Sequence, residues 1–397
     1  MLAIGAETGA SATAGREHPR ASLSRLVVTD FRSYTRAELL LDGRPVVLTG
    51  ENGAGKTNLL EAVSLLSPGR GLRGAAYVEI AREGGAGGWA VAATLETGEG
   101  PVRLGTGLEP ETEDRASTTS RSRAVRIDGA PASGAGALAQ HLRIVWLTPA
   151  MDRLFLEGAS ERRRFLDRLV MGFDPAHGTR VNAYERSLRE RNRLLAEEKM
   201  DPSWLGGLEE QMAAHGVAVA AARVDTLARL RGAIEAASEA HFPRADLALE
   251  GTLETALATA PAVDVEDAFR KRLAAARARD AAAGRSLEGP HRSDLLVRHV
   301  AKDREARLCS TGEQKALLIG IVLANARLLS ARGHPPLLLL DEIAAHLDEQ
   351  RRGALFDEII GLNLQAFMTG TDPALFEALG TRAQTFRIAR GALLQIA

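Results

Sequence analysis

The stretch PVVLTGENGAGKTNLLEAV, residues 45–63, restricts the possible fold more than any other part of the chain. An apolar run of strand length enters a glycine-rich loop, and a helical pattern leaves it. Gly50–Thr57 therefore satisfy G-x-x-x-x-G-K-T in the strand-to-helix context that the motif demands. Such a loop can close its backbone N–H groups around phosphate oxygens, and the helix behind it adds the positive end of its dipole. Gly50, Glu51, Asn52, Gly53, Ala54 and Gly55 are expected to wrap the phosphates, with Asn58 flanking them. Lys56 is expected to reach the β- and γ-phosphates, and Thr57 to bind Mg2+ through its hydroxyl. The consecutive apolar positions before the loop fit a strand covered on both faces.

Two further segments acquire meaning beside that loop. LLLLDEIAAHLDEQRR (337–352) reads as a buried strand ending in adjacent acids. In a phosphate-loop protein an Asp at such a strand end holds the Mg2+, which assigns the metal to Asp341. Glu342 is then placed to activate water against the γ-phosphate as a general base. CSTGEQKALLIGIVLANARLL (309–329) opens an apolar helix with Ser310 and Gly312. Alone this is a capped core helix. In the same chain as the other two segments, its N-terminal donors are candidates for binding an anion.

The chain of 397 residues is 45% hydrophobic, which suits one large domain or two. Its net charge of −1 supplies no global field toward nucleic acid, so such binding must come from a local patch. Glu161–Arg193 carries nine arginines and five acids; Arg162, Arg163, Arg189, Arg191 and Arg193 are the candidate DNA contacts. The single cysteine, Cys309, excludes a disulfide framework within one chain and fits a reducing compartment. No apolar run reaches the ~18 residues of a membrane helix, and the first residues do not read as a signal peptide. A soluble, cytoplasmic protein with no membrane partner is expected.

Strand-like runs at 23–31 and 36–41, and others between residues 84 and 133, suggest an antiparallel lobe, with 109–123 a mobile surface loop. LRIVWLTP (142–149) reads as a buried strand. From about 160 to 283 alanine, leucine, arginine and glutamate take over at helical spacing. Asp174-Pro175, Asp201-Pro202 and HFPRADLALEGTLE break that stretch, and it lacks sustained heptads. Beyond residue 294 strands and helices alternate to 388, the pattern of an α/β layer with a mainly parallel sheet. The expected domains are a disordered tail (1–22), a discontinuous α/β domain (23–160 and 284–397) and an inserted helical arm (161–283).

The order of phosphate loop, Ser-x-Gly helix start and apolar strand with Asp-Glu resembles the ABC-type ATPase heads of the SMC and Rad50 class. The 285 positions from Lys56 to Asp341 leave room for only a short arm. Four finer motifs resemble the RecF family of DNA replication and repair proteins. These are FRSY (31–34), TPAMDRLFLEGASERRRFLDRL (148–169), GPHRSDL (289–295) and DEIAAHLDEQRRGAL (341–355). The sequence departs from the family pattern in five places. Ala150 stands where an acid usually follows the proline, with Asp152 two positions on. Ser293 replaces a common Asp, and Cys309 a leucine. The Gln that contacts Mg2+ and water in many ABC ATPases is not found at the end of VWLTP, and Thr369 and Thr371 stand where a switch His is usual.

The resemblance implies an ABC-type P-loop ATPase head with an antiparallel β lobe and a short helical arm, using ATP and Mg2+. It implies a homodimer formed on ATP. Lys56, Thr57, Asp341 and Glu342 of one subunit would hold MgATP, Ser310 and Gly312 of the other would cap it, and Ala345–Asp348 would lie at the interface. It implies binding to single-strand/double-strand DNA junctions, RecA loading at gaps with RecO and RecR, and weak, DNA-stimulated ATP hydrolysis. The rival readings are a transporter nucleotide-binding domain, a small-molecule kinase or GTPase, and a nucleotide-gated scaffold that does not hydrolyse.

Overall fold

A computed structural model describes residues 21–110, 123–197, 201–237, 241–389 and 391–396. In chain order the first part comprises β1 (Ala21–Phe31), β2 (Tyr34–Leu40), β3 (Val46–Thr49), α1 (Lys56–Ser64), β4 (Trp89–Thr97), β5 (Gly100–Leu108), β6 (Ala124–Ile127), β7 (Ala130–Pro131) and β8 (Ile144–Leu147). The helical part comprises α2 (Ala159–Phe173), α3 (His177–Leu195), α4 (Pro202–Ala236), β9 (Ala245–Glu250), α5 (Thr252–Leu257), α6 (Ala262–Ala275) and α7 (Arg277–Ala282). The last part comprises β10 (Asp294–His299), β11 (Arg304–Glu305), α8 (Thr311–Ala331), β12 (Leu337–Leu340), α9 (Glu349–Gly361), β13 (Ala366–Gly370), β14 (Gln384–Ala389) and β15 (Ala392–Gln395).

Four consecutive leucines form β12 because both faces of its sheet are covered. Leu337 and Leu339 point into a core shared with α1 and the antiparallel strands, whereas Leu338 and Leu340 point into a core built from α2, α8, α9 and the end of α4. This sheet runs β15-β14-β3-β13-β12-β8, parallel except for β15, and β3 lies inside it. The antiparallel lobe is a second sheet, β2-β1-β4-β5-β6-β7. Two glutamines tie the sheets together. Gln365 accepts from Leu23 N (2.7 Å) and donates to Leu23 O (3.0 Å), acting as a short piece of strand for β1. Gln384 accepts from Asp42 N at 2.9 Å.

The stretch 161–283 was expected to be helical, but it carries one strand. β9 pairs antiparallel with β10, from Asp294↔Glu250 to His299↔Ala245. HFPRADLALE looked like a mere break, yet Ala245 and Leu247 alternate inward with polar Asp246 outward, which is the period of a half-buried strand. Leu227, Leu230 and Ile234 of α4 share a core with α8, so the base of the arm is embedded in the α/β layer. Its outer part has its own cluster around Tyr184, Met212, Val217 and Phe269. α8 is long and apolar enough to cross a membrane, but 72% of its apolar window is buried in this core. At the N-terminus β1 takes in Ala21 and Ser22, which the expected tail had included; the rest of that tail, and residues 111–122 of the expected loop, lie outside the described residues. In the alternating last part, the helix Pro373–Arg382 is 3-10 in character and kinks at Gly380.

One expected DNA contact is corrected by the packing. Arg191 is fully buried, pairing with Glu209 (3.1 Å) and Asp280 (2.8 Å) and donating to Ser286 Oγ and Leu273 O. A guanidinium without solvent access cannot meet a phosphate backbone; it locks α3 to α4, α6 and α7. Its charged neighbours in sequence sit on the outer face, and counting charges along the chain could not separate the two. Arg191→Met should leave buried Asp280 without its close guanidinium partner, while Glu209 keeps Arg277, and should cost on the order of 3 kcal/mol. Arg189→Met, at an exposed pair with Glu185, should cost no more than about 0.5 kcal/mol. Thermal unfolding of both variants checks the contrast.

Candidate nucleotide site and its signature helix

β3 delivers the phosphate loop at its buried end, and two glycines there are fixed by contacts as well as by φ. A Cβ on Gly50 (φ 150°) would lie 2.3 Å from Ile388 O, and one on Gly55 (φ 111°) would lie 2.5 Å from Tyr34 Oη. Tyr34 Oη donates to Gly55 O at 3.1 Å, and burial pushes the phenol upward from its ordinary pKa. FRSY therefore has a role that its composition did not reveal: it wedges the loop from below. Arg32 makes a two-point contact with buried Glu61 (2.9 and 2.7 Å), and Arg73 joins the same carboxylate and Asn58. These pairs clamp the helix that follows the loop.

Lys56 folds over the loop and donates to Gly50 O (2.7 Å) and Glu51 O (2.9 Å). Burial lowers its pKa, and Glu342 and Asp341 oppose that shift. Asp341 is the meeting point of the site. Its Oδ1 accepts from Thr57 Oγ1 at 2.9 Å and from Thr369 Oγ1 at 2.7 Å. Thr369 Oγ1 also accepts from Glu342 N at 2.9 Å, so one hydroxyl links both acids to β13. Glu342 has a left-handed backbone (φ 54°), uncommon for a residue with a side chain, and its carboxylate has no hydrogen-bond partner among the described residues. Of the two threonines noted in the sequence, Thr369 is thus committed to the acids. Thr371 is exposed and lines a cavity of about 890 Å3 with Gly50–Ala54.

Ser310 N-caps α8 in a capping box. Its N–H donates to Glu313 Oε2 (2.9 Å), and its Oγ accepts from Glu313 N (3.4 Å). Because Oγ accepts from the helix, its proton stays available for an outside anion. Ser310, Thr311 and Gly312 are exposed. Among the described residues no hydrogen bond or ion pair joins them to 50–58 of the same chain. Behind them Lys315 pairs with Asp152 at 3.0 Å, which ties the turn after Pro149 to α8. Asp348 caps α9 by accepting from Arg351 N at 2.8 Å. His346 side-chain placement lies outside the described residues.

The remaining basic candidates differ in how free they are. Arg162 is closed by two bonds of 2.7 Å to Asp294. Arg189 pairs with Glu185, and Arg193 lies between Glu190 and Glu197; all are exposed except the half-buried Glu190. Among the described residues Arg163 donates only to Ser293 O (2.7 Å). Ser293 itself is buried and donates to Glu254 Oε1 at 2.6 Å, so an Asp there would bring a second carboxylate against Glu254.

A phosphate loop and an acid-tipped strand on a parallel sheet, with an antiparallel lobe and a Ser-x-Gly helix, define an ABC-type ATPase head. The RecF/RecN/SMC N terminal domain family matches residues 22–391. DNA replication and repair protein RecF of Rhizobium leguminosarum bv. trifolii (strain WSM2304) is 58% identical over 378 residues, covering 95% of this chain and 99% of that one. RecF of Agrobacterium fabrum (strain C58 / ATCC 33970) is 54% identical over 377 residues, covering 94% and 98%. The fold is shared with the recombination mediator protein RecF-ATP in the RecFOR pathway, with a TM-score of 0.80, 22% identity, and 96% of this chain and 99% of that one covered. An Smc head domain with an extended coiled coil, derived from Pyrococcus furiosus, gives a TM-score of 0.52 at 14% identity over 95% and 96% of the two chains. The chain belongs to the RecF family, and the transporter and kinase readings fall away.

The helix start yields a pH prediction. Glu313 is held down to about 2 by the Lys302 ammonium, then by the Ser310 N–H. A depressed carboxylate stabilises the fold fully above its unfolded pKa of about 4.3 and loses that contribution as pH falls through about 2. Lys302→Ala should move the Glu313 titration upward, read from its carboxyl carbon shift by NMR. An unmoved titration would show that Lys302 does not set it.

Proposed function

We propose that this chain is an ATP-dependent DNA-binding protein of recombinational repair, acting where single-stranded gaps meet duplex. The observation that carries the nucleotide reading is the contact of Thr57 Oγ1 with Asp341 Oδ1 at 2.9 Å, which joins residues 284 positions apart. Mg2+ takes six oxygens at about 2.0–2.1 Å in an octahedron, so neighbouring ligands stand roughly 2.9 Å apart. The Thr57 hydroxyl and the Asp341 carboxylate fit two such neighbours. Among the described residues no cluster of three His, Cys, Asp or Glu side chains could hold a metal alone, as suits an ion that also binds phosphate oxygens. The ion would neutralise charge on the β- and γ-phosphates.

Gly50–Thr57 and Asn58 bind and orient the triphosphate, and Lys56 leaves the loop carbonyls for the γ-phosphate. Glu342 takes a proton from the water that attacks phosphorus. Its unbonded carboxylate and fixed backbone support that role, and Thr369 acts as its positioning residue. Ser310 and Gly312 cap the γ-phosphate of a second copy. Their exposure and their lack of contact with the loop of their own chain support completion of the site in a homodimer. DNA at single-strand/double-strand junctions is the substrate surface, RecO, RecR and RecA are the partners at gaps, and slow hydrolysis releases dimer and DNA.

Binding to gapped against blunt duplex, with ATP, ADP and no nucleotide, tests the reading. Tightest binding to the gapped duplex with ATP is expected; indifference to nucleotide would contradict it. Glu342→Gln should abolish turnover while a dimer accumulates on ATP in sedimentation velocity. Ser310→Arg should bind ATP yet stay monomeric.

A further inference from the structure

The motif GPHRSDL has no part in nucleotide chemistry, yet its loop is among the most firmly tied segments of the molecule. Gly289 sits at φ +132°, where a Cβ would meet Tyr184 Oη at 2.3 Å. Pro290 O accepts from Arg223 Nη1 at 2.7 Å. His291 Nε2 lies 3.0 Å from Ser286 O, which can only accept; the ring therefore carries its proton there, and Nδ1 accepts from Tyr184 Oη at 2.7 Å. Arg292 N closes a turn onto Gly289 O at 2.9 Å. Ser293 is bound through its hydroxyl to Glu254 and through its carbonyl to Arg163. The loop is thus held from α2, α3, α4 and α5.

Among the described residues one side chain of this turn finds no partner. Arg292 is exposed, and its guanidinium has neither a hydrogen bond nor an ion pair among the described residues. Arg163 donates to the carbonyl of the very next residue, Ser293, and has no other acceptor among the described residues. Burial disfavours its charge first, Arg223 and Arg292 add to that, and Asp294 and Asp167 oppose it. Both arginines also bear on the His291 ring. The surrounding cations are neutralised: Arg162 by Asp294, Arg164 by Glu161, and Arg223 by Asp167. Arg163 on α2 and Arg292 on the turn, neither with a direct ion pair among the described residues, are like charges that an oxyanion joining them would favour.

We infer that Arg292 and Arg163 form a docking point for the backbone phosphates of duplex DNA, a role that rests on the DNA reading above and replaces the buried Arg191 in it. Planar guanidiniums suit phosphate oxygens, and an already ordered loop loses little entropy on binding. The contact positions the duplex without reading its sequence.

Arg292→Glu tests this because Arg292 has no hydrogen bond or ion pair to lose among the described residues, so the thermal midpoint should not fall. Affinity for duplex DNA with ATP should fall several-fold at low salt, and the deficit should shrink as salt rises. The slope of log K against log salt should lose about 0.9 for Arg292→Gln and about 1.8 when Arg163→Gln is added. Arg189→Gln should lose less than Arg292→Gln. If the parent binds duplex and Arg292→Glu matches it in affinity and slope, the docking point is refuted, and the pair instead suits an acidic protein surface. If the parent binds no DNA with any nucleotide, the DNA reading itself falls and this inference with it.

Discussion

Asp341 Oδ1 is the atom on which the arrangement turns. It accepts hydrogen bonds from Thr57, at the start of the helix after the phosphate loop, and from Thr369, at the end of the neighbouring strand. These three residues come from the first fifth and the last fifth of the chain. They can meet only because β3, β13 and β12 lie side by side in one parallel sheet. The four-leucine strand, the glutamine ties to β1 and the wedge of Tyr34 under Gly55 all serve that register. A slip of one residue in β12 would turn Leu338 and Leu340 toward the wrong core and carry the acids out of reach.

The same sheet keeps the signature helix apart from the loop. α8 is buried along its length and exposed at its start, where Ser310 satisfies its own helix and keeps a hydroxyl proton free. Behind it β10 runs from the GPHRSDL turn toward the hairpin that leads to Ser310. In the proposed cycle, DNA at that turn and nucleotide at the dimer interface are therefore separated by one strand and one hairpin.

Much of this was legible in the sequence, for physical reasons. G-x-x-x-x-G-K-T is a backbone requirement, and LLLLDE declares a doubly covered strand with charge at its end. What escaped depended on contacts between distant segments. Thr369 was noticed as a substitute for a histidine, but its link to Asp341 and Glu342 needs the strand order. β9 was hidden because its six residues lie between prolines and helices, and its partner is some fifty residues away. Arg191 and Arg189 are two positions apart on one helix, and only packing shows that one faces Asp280 and the other solvent. The GPHRSDL segment was visible as a motif, while the reason for its glycine, a phenol at the place of a Cβ, was not.

The central claim is that one chain supplies the phosphate loop and a second chain supplies the cap. Mixing two variants measures this directly: Lys56→Ala, which lacks the loop lysine, and Ser310→Arg, which blocks the cap. A mixed dimer contains one site with both parts intact. Neither variant alone should form a dimer on ATP or turn it over, and the mixture should do both. Turnover by Ser310→Arg alone at the parent rate, or a mixture no better than the sum of its parts, would contradict the composite site.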